Sequence, residues 1–555
     1  MERYTRLVYR KSRPEKRPIE PPFSNFGFVE KEFSGVRSLR RIMSQVRQHG
    51  GKTMVIEELS PGDADDVREE NEDIATYIGT SQLPDSRVRR ISFFKKAPSE
   101  IGKIAEVSND DFIGYVIVKE DKVPTRKEPV SRIFESVIRP NVHTSNFIHR
   151  TQKWQCDIDG GRFNINGYLY AQQNYMTNVC AHVACRTVAA GFHKDGDMSY
   201  REMNQAICID HRDDRKIVDG LNVVQMETIL QAAGARCIRA NYIPSPPFDQ
   251  PSYQKFLYGS IESGYPAIII FATADMIDGK SQEGPHHAVP VFGHTFNEDT
   301  WVPGAELSYF PYFRVGNDTK YIPSESWLNT FLAHDDNLGS NFCIPRDFLY
   351  TRRRCKNNKP SGAFCDTQDE CVVHVLATVP KDVKADPIDA ELVGLGFLES
   401  IISSATTYLA AEPWGKRLIS FSKDHQLVLR TVLITGEKYF DHLAQMSDWS
   451  GKRIKNTLID KLNVGLKPEE NIWMVEISMP ELFSANHRKV GEILIRASIP
   501  IGKNLAGKFA WNFNQFVMAR LPRCFVTYVK GEGTDGGYKP HPNNIRDHVA
   551  LWGCK

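Results

Sequence analysis

The stretch Gln172-Gln173-Asn174-Tyr175-Met176-Thr177-Asn178-Val179-Cys180-Ala181-His182-Val183-Ala184-Cys185-Arg186 is polar as far as Asn178 and then carries Val, Ala and Cys at helical spacing. It predicts a helix with Cys180 in the first turn, where unpaired backbone N–H groups and the helix dipole favour negative charge. A thiol placed there ionises more readily than a free cysteine, and the thiolate is the form that attacks. A second stretch, Gly284-Pro285-His286-His287-Ala288-Val289-Pro290-Val291-Phe292-Gly293-His294, is an apolar run with β-branched residues bounded by Gly284-Pro285 and Gly293. It predicts a buried strand with His287 at its entry, placed to accept the thiol proton. His286 is the rival base, but strand alternation points the two rings to opposite faces, so only one can reach the sulfur. His182 sits two positions past Cys180, faces elsewhere on the helix and reads as structural. Taken alone, Cys180 beside Ala181 and Ala184 would equally suit a small buried core thiol, so it is the pairing with a histidine that points to chemistry.

Working outward, Ser199-Tyr200-Arg201-Glu202 matches a capping box and opens a helix to about Cys208. Asn222 starts another that runs to Gly234, Cys237 to Tyr242 reads as a strand, and Ser252 to Ser263 as a helix closed by Gly264. Pro266 to Phe271 is a buried strand leading into the one that carries His287. Helices therefore follow the cysteine and strands surround the histidine. This predicts an α+β domain in which a Cys-bearing helix packs on a mainly antiparallel sheet.

Upstream, residues 1–22 hold Arg3, Arg6, Arg10, Lys11, Arg13, Lys16 and Arg17 among prolines, the composition of a mobile basic tail. Leu39, Ile42 and Val46 suggest a helix ended by Gly50-Gly51, before a strand at Thr53 to Ile56. The acidic run Asp63 to Asp73 reads as a solvated helix or loop and lacks calcium-loop spacing. Arg90 to Phe94, Phe112 to Val118 and Ile133 to Ile138 read as strands, and Trp154 to Tyr170 as more of the same with a turn at Asp159-Gly160-Gly161. Downstream, further pieces are expected at Phe310 to Val315 and Trp327 to Ala333, an apolar interlude at Val372 to Val379, a helix near Ala390 to Leu409, strands near Leu427 to Ile434 and Ile472 to Ile477, and a helix or strand around Phe513 to Arg520. Gly531 to Gly537 has no phosphate-loop spacing and reads as a loop. The expected organisation is a basic flexible tail (1–22), a mainly β accessory domain (23–150), the thiol domain (151–380) and a C-terminal α+β domain (381–555), the flanking domains being α/β or α+β.

The Gln-x-Cys-helix segment, followed about a hundred residues later by His287-Ala288-Val289-x-Val291-x-Gly293, resembles the papain-like cysteine peptidases, particularly the family that removes leader peptides from bacteriocins. The resemblance covers roughly residues 165–345. It implies a papain-like fold, Cys180 as nucleophile, His287 as general base, a glutamine before the cysteine as oxyanion donor, and an Asp or Asn that orients the histidine. The family usually places the Gln about six residues before the Cys; here Asn174 holds that position and Gln173 and Gln172 stand seven and eight before, with Gln173 taken as the donor. Ala181 stands where the family commonly has Gly. The orienting residue usually follows the His by some sixteen positions, but residue 303 is Pro. An insertion would move the role to the end of the strand before Gly339, to Asp336 first and Asp335 second, ahead of Asn297 and Asp299 in the turn after the His strand.

The expected activity is hydrolysis of a peptide bond in a protein or peptide substrate, with no cofactor and no metal. Cys355, Cys365, Cys371 and His374 fit no common structural-zinc spacing. Other thiol acyl-transfer enzymes, transglutaminase-like or deamidating, share the chemistry, and a non-catalytic scaffold whose terminal domains bind a protein partner is the alternative of a different class. With 70 Lys plus Arg against 68 Asp plus Glu, net +2, there is no electrostatic signal for nucleic acid or membrane. Eleven cysteines, an odd number, without an N-terminal apolar segment fit a reducing, cytoplasmic setting.

Overall fold

The computed structural model describes residues 14–19, 32–33, 35–61, 65–96, 100–140, 146–174, 180–209, 220–242, 251–277, 280–296, 321–349, 371–424, 426–445, 447–448, 466–486, 488–501, 515–529, 537–542 and 545–546. The chain is mixed α+β with several antiparallel sheets. It divides into two compact units, each gathered from separate stretches: residues 1–239, 266–293 and 331–376 form the first, and 240–265, 294–330 and 377–555 the second. The division does not fall at residues 150 and 380; the region read as an accessory domain and the Cys-bearing region share one unit.

The first unit opens with β1 (Glu15–Pro18), α1 (Arg37–Gln48), β2 (Thr53–Leu59), α2 (Asp65–Tyr77), β3 (Asp85–Phe94), β4 (Phe112–Lys122) and β5 (Val130–Ile138), the five strands forming an antiparallel sheet in chain order. Leu39, Ile42, Met43 and Val46 put one face of α1 against Met54, Ile91, Phe93 and Val116 of the sheet, and Gly50, at φ 76°, ends the helix. Two expectations fail here. The tail is not free throughout, because Glu15 to Pro18 pairs with Ile56 to Thr53; backbone groups on a sheet edge recruit a partner whatever its side chains. The acidic run is a helix, but Glu70 is buried. Its carboxylate pairs with Arg132 and with Lys119 (2.9 Å), while Asp121 takes the same two cations at 2.7 and 3.0 Å.

A two-residue stretch β6 (Asn146–Phe147) precedes the hairpin of β7 (Gln152–Ile158) and β8 (Gly161–Gly167). Asp159 (φ 44°) and Gly160 (φ 79°) make its turn, both in the left-handed region such a two-residue turn requires. Then come α3 (Cys180–Ala189), α4 (Tyr200–Ala206) and α5 (Val223–Ala232), the last two opened by the capping boxes Ser199/Glu202 and Asn222/Gln225. A second sheet is built from β9 (Ala235–Asn241), β10 (Ala267–Ile277), β11 (Lys280–Phe296), β13 (Leu328–Asp335), β14 (Gly339–Pro345) and β15 (Val372–Pro380), in the order β14-β13-β11-β10-β15-β9, with β6 also on β11; between β11 and β13 lies β12 (Ile322–Pro323), which belongs to the second unit. His287 is therefore mid-strand rather than at the strand's entry. Gly284-Pro285 does not end β11, because the pairing with β10 resumes beyond it, from Ala272↔His286 to Ala274↔Glu283, and the irregularity absorbs the donor that proline lacks.

The second unit contains α6 (Tyr253–Ile261), α7 (Pro387–Ser404) and a sheet of β12, β16 (Val428–Thr435), β18 (Asn471–Ser478), β19 (Gly491–Arg496), β20 (Phe516–Leu521), β21 (Cys524–Val529) and β22 (Gly537–Pro542) in that order, with a separate pair β17 (Ser447–Asp448) and β23 (Ile545–Arg546). The helix expected over Ala390 to Leu409 stops at Ser404 and resumes as a single turn, Thr406–Leu409; the segment left open around Phe513 to Arg520 is a strand from Phe516. Phe310 to Val315, Cys355, Cys365 and Gly531 to Gly536 lie outside the described residues.

Across this last sheet the register aligns Arg430 with Glu476, Glu476 with Glu492, and Glu492 with Arg520. All four are buried. Arg430 pairs with Glu476 at 2.5 Å, Lys489 bridges Glu476 (2.9 Å) and Glu492 (3.3 Å), and Arg520 grips Glu492 through Nε at 2.6 Å and Nη2 at 2.5 Å. Burial opposes the charge on Glu492, but Arg520 and Lys489 outweigh it and hold the carboxyl down at about 2. Its stabilising contribution is therefore present above the ordinary carboxylate range and is lost only as pH falls through about 2. Glu492→Leu should cost about 3–5 kcal/mol in urea unfolding, because it removes the carboxylate that Arg520 and Lys489 share, whereas the double change with Arg520→Met should cost markedly less. Equal costs for the two would show that the seam is not an ion pair in energetic terms.

Candidate active site

Cys180 is the first residue of α3, so its backbone N–H has no partner within the helix. The helix beyond it is buried from Ala181 to Ala189. That burial fixes the helix rigidly, while the thiol itself is half-exposed at its head. His287 comes from β11, and its ring is held edge-on by Phe271 of β10 at 5.5 Å between centroids. The Cys180 side chain faces the ring and is among the groups that raise its pKa. Its Nε2 lies 3.3 Å from Oδ2 of Asp335 and 3.4 Å from Oδ1 of Asp336. With Nε2 turned to the carboxylates, Nδ1 is the nitrogen left for the sulfur. Cys180, His287 and the Asp335-Asp336 pair thus meet, although 155 residues of chain separate Cys180 from Asp335.

The two aspartates differ in how they are held. Oδ1 of Asp335 accepts from the backbone N–H groups of Asn337 and Leu338, both at 2.8 Å, which locks the carboxylate on the turn after β13. Burial pushes its pKa up, but the hydrogen bond and charge of His287 and the two amides outweigh this and lower it. Asp336 is equally buried, and neither of its carboxylate oxygens has a hydrogen-bond partner. Burial, with the neighbouring Asp335 charge and against the pull of His287, raises it to about 6. The sequence ranked Asp336 ahead of Asp335; the geometry gives Asp335 the fixed, hydrogen-bonded position. Around His287 itself, burial works to lower the pKa, yet the bonds to Asp335 and Cys180 and the two negative charges push it up to about 10. These groups also bring three possible ligand atoms within 4.8 Å of one another, but one imidazolium proton and its positive charge already balance much of that negative charge.

Cys180 and His287 line a cavity of about 1050 Å³ together with Gln173, Asn337, Asn222, Gln225, Met226, Ile270, Thr273, His286 and His374. Among its described lining residues there is no Asp, Glu, Lys or Arg. Gln173 shares the cavity, and its amide Nε2 donates to Oδ1 of Asn337 at 2.8 Å. Gln172 points elsewhere: it accepts from the N–H of Ile133 at 2.9 Å and donates to the carbonyl of Asp336 at 3.3 Å. His286 is exposed on the same strand and lines the cavity too, so it is not excluded from it as alternation suggested; His287 is the one hydrogen-bonded to Asp335. His182 is buried, with Nε2 2.9 Å from Oδ1 of Asn204, and burial lowers its pKa.

No protein-family model, curated protein or solved structure matches this chain. What the site can do is therefore read from its own groups: a thiol at a helix head, an imidazole beside it, and a fixed carboxylate behind the imidazole.

Sequence reasoning missed the supports of the turn that carries the aspartates. His334, buried just before Asp335, accepts from the N–H of Asn341 through Nδ1 (3.1 Å), so its Nε2–H faces the carbonyl of Tyr168 (3.3 Å). Burial lowers it to about 4, keeping it neutral and able to play both roles. Nothing in local spacing marks these partners, since Tyr168 and Ile133 lie far away in the chain.

Proposed function

We propose that the protein is a thiol hydrolase of peptide bonds, a cysteine peptidase whose catalytic domain resembles the papain-like enzymes. The observation that carries this reading is that Cys180 and His287 share the wall of one cavity while Asp335 holds the imidazole by a hydrogen bond. Those are the nucleophile, base and orienting group that acyl transfer by a thiol requires.

At neutral pH the imidazole is charged, its pKa pushed up to about 10, and a cation beside a sulfur favours the thiolate that attacks. The Cys180 thiolate attacks the peptide carbonyl, and the negative oxygen that develops is met by the unpaired N–H groups at the head of α3 and by the side-chain amide of Gln173. His287 then gives its proton to the leaving amine as the C–N bond breaks, which leaves a thioester and a neutral ring. Water attacks the thioester while His287 takes a proton from it, and collapse releases the acid and restores the thiolate–imidazolium pair. Asp335, anchored by two backbone amides, keeps the ring oriented through both steps.

The reactivity of Cys180 is testable without knowing the substrate. Iodoacetamide should alkylate Cys180 at pH 7 at least about tenfold faster than a model thiol, which is only a few per cent ionised there; reaction no faster than the model thiol would remove the proposal. Mass spectrometry of products from a peptide library would then separate cleavage from ammonia release or crosslinking, the outcomes of deamidating or transglutaminase-like chemistry on the same groups.

A further inference from the structure

We infer that α1, through Arg41 and Gln45, is a positioning device for the carboxylates behind His287, so that residues far upstream of the thiol set its reactivity. The inference rests on the reading of Cys180 and His287 given above, but the contacts that motivate it do not.

The turn after β13 carries Asp335 and Asp336 and returns into β14, and α1 lies against β14. Arg41 donates from Nε to the carbonyl of Ser340 and from Nη2 to the carbonyl of Asn341, both at 2.8 Å. Gln45 donates to the carbonyl and the hydroxyl of Ser340 at 3.0 and 3.1 Å, and its Oε1 accepts from the side-chain amide of Asn341 at 2.9 Å. Five hydrogen bonds from two side chains thus converge on two consecutive residues. Those residues need holding: Asn341 has φ 50°, a conformation that non-glycine residues seldom adopt. Gly339 has φ 123°, and a Cβ there would come within 3.0 Å of the Arg41 side chain. The backbone is therefore set in an unfavourable shape with α1 pressed against it.

The turn is short. From Asn337 and Leu338, whose amides hold Asp335, only Gly339 intervenes before Ser340. Releasing Ser340 and Asn341 would let the left-handed residue relax and carry the two amides with it, loosening Asp335 from Nε2 of His287. Pre-organisation to within a fraction of an ångström is what an orienting group supplies, and a turn that shifts by 1 Å forfeits it.

The groups facing His287 are Asp335 and Asp336 from the turn and Cys180 from α3, with the uncharged Phe271 from β10. This gives the test a sign. Arg41 is a cation, so its removal acting only through charge would raise the His287 pKa or leave it alone; removal acting through the turn would lower it.

The test uses the full chain carrying Arg41→Met, which keeps an apolar stem, with Arg41→Lys and Gln45→Met as milder companions should the first fail to fold. The expected result is a fall of about one unit or more in the His287 pKa, read by NMR of isotope-labelled histidine, a drop of about tenfold in Cys180 alkylation at pH 7, and a lower kcat with little change in KM. Arg41→Lys, able to keep one of the two bonds, should lie between. A folded variant that melts lower but keeps the same His287 pKa and alkylation rate would make the contact merely structural and overturn the inference. If wild-type Cys180 reacts like a model thiol, the peptidase reading is what fails, and the His287 titration still decides the role of α1.

Discussion

His287→Ala is expected to lower kcat/KM for peptide hydrolysis by roughly 1,000-fold or more, and to return Cys180 alkylation at pH 7 to the rate of an ordinary thiol. The size follows from the number of tasks on one ring. In the proposed mechanism it favours the thiolate, delivers a proton to the leaving amine and activates the water of the second step. A stability measurement gives an independent reading of the same group. Because the folded pKa, about 10, lies above the ordinary histidine value of 6.5, the imidazolium's contribution is complete below about 6.5 and is lost as pH rises through 10. The wild-type protein should therefore lose stability along that alkaline limb, and the alanine variant should not. Turnover in the variant within tenfold of wild type would assign the base elsewhere, with His286 as the nearest alternative in the cavity.

The second large effect separates two neighbours that are chemically identical. Asp335→Asn should reduce kcat/KM by roughly 100- to 10,000-fold, because an amide NH2 placed against the Nε2–H of His287 either repels it or forces the wrong tautomer. Asp336→Asn should cost less than about tenfold in activity and raise stability at pH 7. Its carboxyl is raised to about 6 by burial. The folded protein thus holds that proton more tightly than the unfolded chain does, and stability declines as pH rises from about 4 to 6. At pH 7 the ionised group opposes folding by about 3 kcal/mol, which the neutral amide would relieve. Thermal melting alongside kinetics decides the matter. Equal loss of activity from both variants would mean that the imidazole uses the pair as a unit.

Much of this arrangement was legible from the sequence because it follows from local rules. The helix heads at Ser199 and Asn222 are written in capping residues, the hairpin turn at Asp159-Gly160 in its backbone demands, and the Cys180 helix in apolar spacing. The site pairing was legible only through chemistry: a cysteine at a helix head and a histidine in an apolar strand are separately commonplace. What was not legible depends on contacts distant in sequence. The order of Asp335 and Asp336 is decided by which carboxylate the Asn337 and Leu338 amides reach, and periodicity carries no information about that. Glu70 read as solvated because its partners, Lys119 and Arg132, lie on strands 49 and 62 residues further on. Glu15 to Pro18 read as tail because pairing at a sheet edge is a property of backbone, not of side-chain pattern.

The first unit closes only when its third stretch, residues 331–376, has been added to the earlier two. During synthesis Cys180 emerges well before its partners, and Asp335 follows 155 residues later, a delay of roughly 8–30 s at ordinary elongation rates. Throughout that interval the sulfur is an unassisted thiol, largely protonated and slow to attack anything. On the proposed function, the reactive pair therefore assembles only once the third stretch of the first unit has been made.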